Sequence, residues 1–402
     1  MFGLPGQNDR HTVYISLDNV LHGIEGAREI FNLIVKRSLV TGITLNHHRL
    51  GDEGVEELCR LLSLPNSSRY RHHISRIDLG DNCMTDKGLE AISSYLLDNR
   101  RLKEVILQNN HFTWEQNTLS HFVTAINSSC LGTLTLNTTP RGDVSVPYIL
   151  AHLTTPYLKT LRLAITQLTA SSVPHIVDFI SSSRCRLRTL VLSGNLLQLH
   201  GLNTLIAAMS DNFTLCTVDI YGNSEISGDT THIYALKKAV EDRNRVLQEC
   251  VARQALVLLR TSRVLLLQAR APRPESACSS SSSTSSSSSS SVLPMELQQH
   301  ILSFNAPHLS TTQHLCIFNF ASDPSTLPPL DTERHAPCLA DPSAMPSDPL
   351  SGPPRLCENG TCMGAMDSIS CKRENIKDDW LISVGCDVPD PTAMTDKLLR
   401  EL

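Results

Sequence analysis

The sequence predicts an α/β fold, an open solenoid in which short parallel strands alternate with helices, followed by a largely disordered C-terminal tail. Three observations predict this fold. One apolar motif recurs between residues 40 and 245 at intervals of about 28 residues, and an amphipathic helical stretch follows nearly every copy. Beyond the repeats, residues 279–291 are thirteen consecutive serines or threonines, which cannot bury apolar surface. Tandem units of one strand and one helix build a solenoid because each unit buries its apolar face only against its neighbours.

The motif is clearest in its sixth copy, which consists of Leu187, Leu190, Leu192, Asn195 and Leu197. This spacing is the leucine-rich-repeat pattern L-x-x-L-x-L-x-x-N-x-L. The second and third leucines point to the same face of a short strand because side chains alternate along it. The amide of the asparagine can bond backbone groups where the chain leaves the strand. The motif therefore predicts a strand with one buried face and a polar turn after it.

Seven copies of the motif follow one another along the chain. Their leading apolar residues are 27 to 29 positions apart, except for a first interval of 34 that contains an insertion at residues 66–73. These leading residues are Val40, Ile74, Leu102, Leu131, Leu158, Leu187 and Leu215. The apolar pair that follows each of them predicts seven strands, at residues 43–45, 77–79, 105–107, 134–136, 161–163, 190–192 and 218–220.

Both ends of the repeat array, residues 40–245, need a cover for the last apolar face. Residues 1–11 show no apolar pattern, and we expect them to be disordered. Residues 12–39 begin with a stretch in which apolar residues loosely alternate with others. A segment with apolar residues on one face of a helix follows, and together the two predict an N-terminal cap. Residues 246–270 contain neither glycine nor proline, so we expect residues 246–273 to form a C-terminal capping helix with its arginines in solvent.

The chain beyond the repeats divides by composition. Residues 274–292 are serine-rich and predict a flexible linker. Residues 293–322 contain two apolar patches and predict a short helical segment. Proline and serine dominate residues 323–355, so we expect residues 323–402 to be a mostly disordered tail.

The links between strand and helix carry a family resemblance. Residues 51–55 read GDEGV and residues 85–89 read TDKGL, each between a predicted strand and a predicted helix. With these links and its repeat length, the chain resembles the ribonuclease-inhibitor-like leucine-rich-repeat family over residues 40–245. The resemblance implies a horseshoe with a parallel sheet on its concave face and helices on its convex face.

Composition and charge argue against several classes of partner. The net charge is −5 and the sequence pI is about 6.3, so no general affinity for polyanions is indicated. The N-terminus lacks a charged segment followed by an apolar run, and the most apolar window, residues 255–267, is too short to span a bilayer. We therefore expect an intracellular protein of the cytoplasm or the nucleus, with reduced cysteines and no membrane partner.

No pattern in the sequence indicates catalysis, a cofactor or a metal. The chain contains no G-x-x-x-x-G-K-[ST] loop, no G-x-S-x-G elbow and no H-E-x-x-H motif. Four cysteines in the last part of the tail match the spacing of no zinc module, and they are Cys357, Cys362, Cys371 and Cys386. We therefore expect a protein that is not an enzyme and that holds neither cofactor nor metal.

A solenoid offers surface for binding. Side chains alternate between the two faces of a strand. When the apolar pair of a strand is buried, the residues between and beside that pair therefore point outward, onto the concave face. Arginine and tyrosine on such a face are favoured contacts over threonine because they carry more interface energy. The residues expected to contact a protein partner are Arg76, Asp78, Glu104, Ile106, Arg162, Asp219 and Tyr221.

We expect a non-enzymatic scaffold or adaptor that binds another protein, of unknown identity, through the concave face. A first alternative is a GTPase-activating protein for a Ran-type small GTPase, because the Ran GTPase-activating proteins resemble this repeat type. That family typically carries an acidic stretch after its repeats, where this chain has an arginine-bearing helix and a serine run. Nucleic acid is a less favoured partner, which the arginine-bearing helix would bind.

A second alternative concerns the segment after the serine run. The residues that resemble the opening of an F-box are Leu293, Pro294, Glu296, Leu297, Ile301, Leu302 and Phe304. The resemblance implies a substrate receptor of a ubiquitin ligase that docks onto a Skp-type adaptor. A helix begun by the proline would present Leu297, Ile301 and Leu302 as a groove-binding stripe. The other interpretation is an amphipathic hairpin over residues 292–321 that packs on itself or back on the solenoid.

Overall fold

The computed structural model describes residues 12–14, 20–36, 40–64, 73–223, 231–268, 294–327 and 372–393. The predictions for residues 1–11 and for the serine-rich linker 274–292 lie outside these ranges, as does most of the predicted tail. The chain divides into two compact units, Met1–Arg245 and Val246–Leu402. Each unit is described by itself.

The first unit contains one parallel sheet whose eight strands follow the order of the sequence. The strands are Thr12–Tyr14 (β1), Gly42–Thr44 (β2), Arg76–Asp78 (β3), Glu104–Ile106 (β4), Thr133–Thr135 (β5), Thr160–Arg162 (β6), Thr189–Val191 (β7) and Thr217–Asp219 (β8). The seven predicted strands are confirmed as β2 to β8, each beginning one residue earlier than predicted. Strand β1 lies in the region for which an N-terminal cap is predicted.

Helices alternate with these strands, as the α/β solenoid prediction requires. They are Gly23–Lys36 (α1), Gly51–Ser63 (α2), Asp86–Leu96 (α3), Gln116–Ser128 (α4), Gly142–His152 (α5), Val173–Ile180 (α6), Gln198–Met209 (α7) and Thr231–Gln268 (α8). A 3₁₀ turn, Ala170–Ser172, precedes the shortest of them, α6. The inner apolar stripe of each helix is buried, as at Leu89 and Ile92 in α3.

The core lies between the sheet and these helices. In strands β2 to β8 the middle residue is buried and in register with its neighbours, so that Leu134, Leu161 and Leu190 form one continuous row. A second buried row follows two residues later along each repeat, as at Leu163 and Leu192. Burying these rows between neighbouring repeats is the main apolar stabilisation of the unit.

Buried asparagines tie four of the repeats to the one before, and these asparagines are Asn82, Asn110, Asn195 and Asn223. The Asn195 side-chain amide is buried, and its Nδ2 donates to the carbonyl oxygens of Leu163 and Leu192, both at 2.8 Å. Its Oδ1 accepts from the backbone N–H groups of Thr166 at 2.9 Å and Leu168 at 3.1 Å. The prediction that this side chain satisfies the backbone where the chain leaves the strand is confirmed.

Aspartates at helix starts make a second link between repeats. Asp86 accepts hydrogen bonds from the backbone N–H groups of Thr113 at 2.8 Å and Glu115 at 2.7 Å, both in the next repeat. Asp52 accepts in the same way from Thr85 at 2.7 Å, and Asp143 from Thr169 at 2.9 Å. Each carboxylate therefore holds the start of its own helix against the following link.

The first part of α8 closes the exposed edge of β8. Glu241 Oε1 accepts from the Val218 backbone N–H at 2.5 Å, and Asn244 Nδ2 donates to the Leu215 carbonyl at 2.8 Å. Arg243 donates to the carbonyl of Asn212 at 2.7 Å. The closure therefore comes from residues ahead of 246–273, the range for which the sequence predicts the capping helix.

The second unit contains residues 246–268 of α8 and three further helices with an apolar cluster of their own. These helices are Met295–Ser303 (α9), Thr311–Ser322 (α10) and Lys372–Ser383 (α11). Helix α11 lies inside the range predicted to be mostly disordered, yet Trp380 and Leu381 are buried in the cluster. Arg263 is 7% exposed, where solvent was predicted, because it donates to the Thr326 carbonyl at 3.2 Å and lies over the Phe320 ring.

Candidate functional site

The candidate site is the face of the sheet that points away from the core. In β7 the middle residue is buried and the first and third residues are partly exposed, and the same alternation places the first and third residues of strands β2 to β8 on this face. The seven predicted contact residues all lie on it or directly after it, and they are Arg76, Asp78, Glu104, Ile106, Arg162, Asp219 and Tyr221.

These seven residues differ widely in exposure. Tyr221 is 73% exposed and Arg162 is exposed, so both are accessible to a partner. Asp78, Glu104 and Ile106 face outward as predicted but are at most 9% exposed. The alternation of a strand determines which way a side chain points. Its burial also depends on its neighbours, and the register places Glu104 beside Arg76 and Ile106 beside Asp78.

Three charged residues on β3 and β4, Arg76, Asp78 and Glu104, form an ionic cluster. Arg76 Nε lies 3.5 Å from Glu104 Oε2, and Arg76 Nη2 lies 4.0 Å from Asp78 Oδ2. Both distances are ionic contacts, and among the described residues neither Arg76 Nε nor Glu104 Oε2 has a hydrogen-bond partner. The Asp78 carboxylate, unlike Glu104 Oε2, has a hydrogen-bond donor, because its Oδ1 accepts from the Gly80 backbone N–H at 3.1 Å.

Burial dominates the electrostatics of this cluster. Burial raises the pKa of Glu104, and the nearby Asp78 raises it further, while Arg76 and Arg162 lower it without cancelling the increase. Burial likewise raises the pKa of Asp78, and the Gly80 N–H bond and Arg76 offset this only in part. Both carboxylates are therefore held in surroundings that disfavour their charged form.

The opposite end of the face is aromatic. The Tyr221 and Tyr234 rings have centroids 5.9 Å apart and are tilted by 44°. The Tyr221 backbone N–H donates to Asp219 Oδ1 at 3.1 Å. Burial raises the pKa of Tyr234, and Tyr221 and Asp219 add to the increase. An exposed tyrosine backed by a second ring is a rigid apolar anchor with a polar tip.

The F-box-like segment lies in the second unit. Leu293 is outside the described residues, and Pro294 directly precedes α9. Leu297 is 48% exposed and Ile301 is 52% exposed, whereas Leu302 is 2% exposed and belongs to the buried cluster. Leu302 is therefore not part of the docking stripe that the sequence predicts. A step of one residue on a helix turns the side chain by about 100°, so Leu302 faces the core when Ile301 faces solvent.

The predicted docking stripe omits Phe304, which the sequence places only in the F-box-like segment, and the predicted contacts of the sheet face omit Tyr234. Phe304 is 71% exposed, three residues after Ile301, and completes the stripe in place of Leu302. Phe304 lies seven residues after Leu297 and three after Ile301, and this helical spacing, visible in the sequence, could have placed it in the stripe. Tyr234 could not have been found in this way because its contact with Tyr221 depends on the course of the chain into α8.

Two negative findings apply to the part of the chain that the structure describes. No group of three or more histidine, cysteine, aspartate or glutamate side chains there is arranged to hold a metal ion. None of the described helices is both long enough and apolar enough to cross a membrane.

Comparison with known proteins places the repeats among leucine-rich repeats. The Leucine Rich repeat family model matches residues 71–93, which include β3 and part of α3. Mouse (Mus musculus) ribonuclease inhibitor is 34% identical over 79 residues, 20% of this chain, and pig (Sus scrofa) ribonuclease inhibitor is 38% identical over 68 residues, 17% of this chain. The mouse NACHT, LRR and PYD domains-containing protein 14 is 27% identical over 196 residues, 48% of this chain. The matched regions cover 16%, 14% and 19% of these relatives' own lengths.

Proposed function

We propose that this chain, a leucine-rich-repeat protein of the ribonuclease-inhibitor-like kind, is a non-enzymatic scaffold that holds a protein partner against the outward face of its sheet. The observation that carries the proposal is the in-register array of strands β2 to β8, whose outward side chains the core does not use. Two relatives are named for inhibiting a ribonuclease, which is an action on another protein. This supports protein binding without identifying the partner.

The dimensions of the face suit a protein partner. Adjacent strands are about 4.8 Å apart, so the distance from β3 to β8 is roughly 24 Å. A surface of this width can contribute a large part of the roughly 800 Å² that each partner buries in a stable complex. Arg162 and Tyr221 are the exposed anchors, and strands β7 and β8 between them begin with the threonines Thr189 and Thr217.

Affinity capture with the full chain tests this proposal. Proteins retained by the unaltered chain are compared with those retained by the double variant Arg162→Ala and Tyr221→Ala. The matched control is Val35→Ala with Val144→Ala, which removes two exposed side chains from helices. We expect the control to retain the same proteins as the unaltered chain and the sheet-face variant to lose them. Equal retention by all three chains would contradict the proposal.

The non-enzymatic part of the proposal is tested against the first alternative. The full chain is added to a Ran-type GTPase loaded with GTP, and phosphate release is measured with an authentic activating protein as positive control. We expect the hydrolysis rate to remain at its intrinsic value. A large acceleration would replace the scaffold proposal with a GTPase-activating function.

A second candidate function is docking to a Skp-type adaptor through the F-box-like segment. The exposed stripe of Leu297, Ile301 and Phe304 supports it, because an i, i+4, i+7 pattern suits insertion into an apolar groove. Helix α10 follows directly, and its Ser310–Gln313 capping box gives it a defined start.

Pull-down of the adaptor by the full chain tests this candidate. The double variant Leu297→Ser and Ile301→Ser is compared with Leu315→Ser, which alters an exposed leucine on α10. If the candidate is right, the first variant loses the adaptor and the second keeps it. No binding by the unaltered chain, alongside a working F-box control, would eliminate this function.

A further inference from the structure

The ionic cluster of β3 and β4 contains a carboxylate oxygen that the described part of the chain does not satisfy. Glu104 is 9% exposed, and its Oε2 accepts no hydrogen bond from any residue that the structure describes. The nearest cation is Arg76, whose Nε lies 3.5 Å away without hydrogen-bond geometry. Asp78 places a second nearly buried carboxylate 4.0 Å from Nη2 of the same guanidinium. A buried charged acceptor without a hydrogen-bond donor costs stability, so a ligand that supplies the donor would be stabilised here.

We propose that Glu104 and Asp78 form a recognition site for a cationic side chain of the protein partner, the ammonium of a lysine or the guanidinium of an arginine. The inference rests on the proposed function because it assigns a chemistry to one part of the sheet face. The incoming cation takes the unused lone pairs of Glu104 Oε2 and shares the charge of Asp78.

The local charges favour a cation over an anion. An incoming carboxylate would lie beside two carboxylates that burial already holds in an unfavourable charged state. A cation stabilises both charges, and the cost of removing these groups from water has already been met during folding. Arg76 lies over the site with 34% of its side chain exposed, so this long side chain can turn aside into solvent.

Ile106 completes the site. It is paired with Asp78 in the register and lies two residues from Glu104 on the same face of β4. Its side chain therefore gives an apolar wall to the aliphatic stem of a lysine or arginine whose charged end reaches the carboxylates. The same position makes its methyl group a reporter next to both acids.

Nuclear magnetic resonance of the full chain with labelled isoleucine δ1-methyl groups tests the proposal. The probes are four acetylated, amidated heptapeptides of glycine and serine whose central residue is arginine, lysine, glutamine or glutamate. The Ile106 signal is assigned by its loss in Ile106→Val. We expect the arginine and lysine peptides to shift this signal and the glutamine and glutamate peptides to leave it unchanged.

Three variants separate the cation site from a general effect of charge. Glu104→Gln with Asp78→Asn should weaken binding of the arginine peptide by about tenfold or more, while the other isoleucine signals show that the fold is kept. Arg76→Gln should strengthen binding several-fold because it removes the competing cation. Asp211→Asn, which removes an exposed carboxylate outside the sheet face, should leave binding unchanged.

Several results would overturn the inference. No shift of Ile106 with any peptide, or equal shifts with arginine and glutamate peptides, means that the cluster does not select cations. Loss of the arginine-peptide response in Arg76→Gln would mean that Arg76 itself makes the contact. The assay uses no natural partner, so its outcome is independent of whether Arg162→Ala with Tyr221→Ala abolishes partner capture.

Discussion

The two compact units reach their packed states through contacts of different range. In the repeat unit, Asn195 bonds the carbonyls of Leu163 and Leu192, in the preceding repeat and in its own. In the helical unit, Gln313 Nε2 donates to the carbonyls of Gly385 at 2.7 Å and Val388 at 3.1 Å, more than seventy residues away along the chain. The repeat unit is therefore stabilised by many equivalent links between neighbours, whereas the helical unit depends on a few contacts that close long loops.

The chain offers a convenient way to examine this difference. It contains two tryptophans, Trp114 in the repeat unit and Trp380 in the helical unit, and both are nearly fully buried. Replacing either one by phenylalanine leaves a fluorescence reporter for the other unit alone. Denaturation of the two single-tryptophan chains then gives a separate free energy of unfolding for each unit.

The largest expected effect is in the helical unit. Trp380→Ala should cost about 3–5 kcal/mol, because it removes a buried ring that meets Phe320 edge to face at a centroid distance of 6.0 Å. Hydrogen exchange of residues 311–322 should become fast, while the Trp114 fluorescence midpoint in urea stays unchanged. The control Trp380→Phe keeps an aromatic ring and should retain slow exchange. An equal fall of the Trp114 midpoint would show that the two units unfold together.

A similar loss of unfolding free energy is expected for a substitution in the core of the repeats. Leu190→Ala should destabilise the repeat unit by about 2–5 kcal/mol, because Leu190 is 2% exposed and its loss leaves a cavity between stacked repeats. Thr189→Ala, on the outward face beside it, should change the free energy of unfolding by less than about 0.5 kcal/mol. Urea unfolding followed at Trp114 measures both. Equal effects from the two substitutions would mean that the register of the strand is wrong.

Asparagine substitution tests the link between repeats. Asn195→Ala should cost about 1–3 kcal/mol, because the two carbonyls and two N–H groups that it bonds would be left buried without their partner. The same urea experiment measures the change. Asn137→Ala is the comparison, since Asn137 is partly exposed and its Oδ1 accepts one bond, from the Ala164 N–H. If Asn137→Ala lowers the free energy of unfolding as much as Asn195→Ala does, the buried hydrogen bonds between repeats are not the cause of the change.

The difference in contact range explains what the sequence could predict. Leu190 and Asn195 occupy positions that recur every 27 to 29 residues, so seven copies together predict the strands and the turns after them. Trp380 belongs to no repeat, and the proline- and serine-rich residues before it gave no reason to expect that it packs against a helix more than fifty residues earlier.

The candidate site also combines features that the sequence could predict with features that it could not. The alternation within each strand predicts that Arg162 and Tyr221 face outward, and this requires only local information. The burial of Glu104 depends on how the Arg76 side chain of the neighbouring strand lies, and the burial of Leu302 depends on the position of helices from three distant segments. Neither arrangement has a periodic pattern in the sequence.

The smallest expected effect concerns the aspartates that join helix starts to the following repeat, and it depends on pH. Burial alone would raise the pKa of Asp86, but four hydrogen bonds outweigh burial and lower this pKa. The donors are the backbone N–H of Glu115, the Thr113 side chain and the backbone N–H groups of Thr113 and Trp114. Because the folded-state pKa is below that of the unfolded chain, about 3.9, the stabilisation is fully present above that pH and is lost as pH falls through the folded value.

Asp86→Asn should therefore lower the melting temperature at pH 7, by an amount equivalent to about 1–2 kcal/mol, because an amide cannot accept all of these bonds. The difference between the variant and the unaltered chain should shrink as pH falls below about 3.9, where the carboxyl takes up a proton first in the unfolded chain and then in the folded one. Melting followed at Trp114 across this range measures it. Asp211→Asn controls for the change of net charge, because Asp211 is exposed. A difference that stays constant with pH would mean that Asp86 stabilises the repeat unit by its shape and not by its charge.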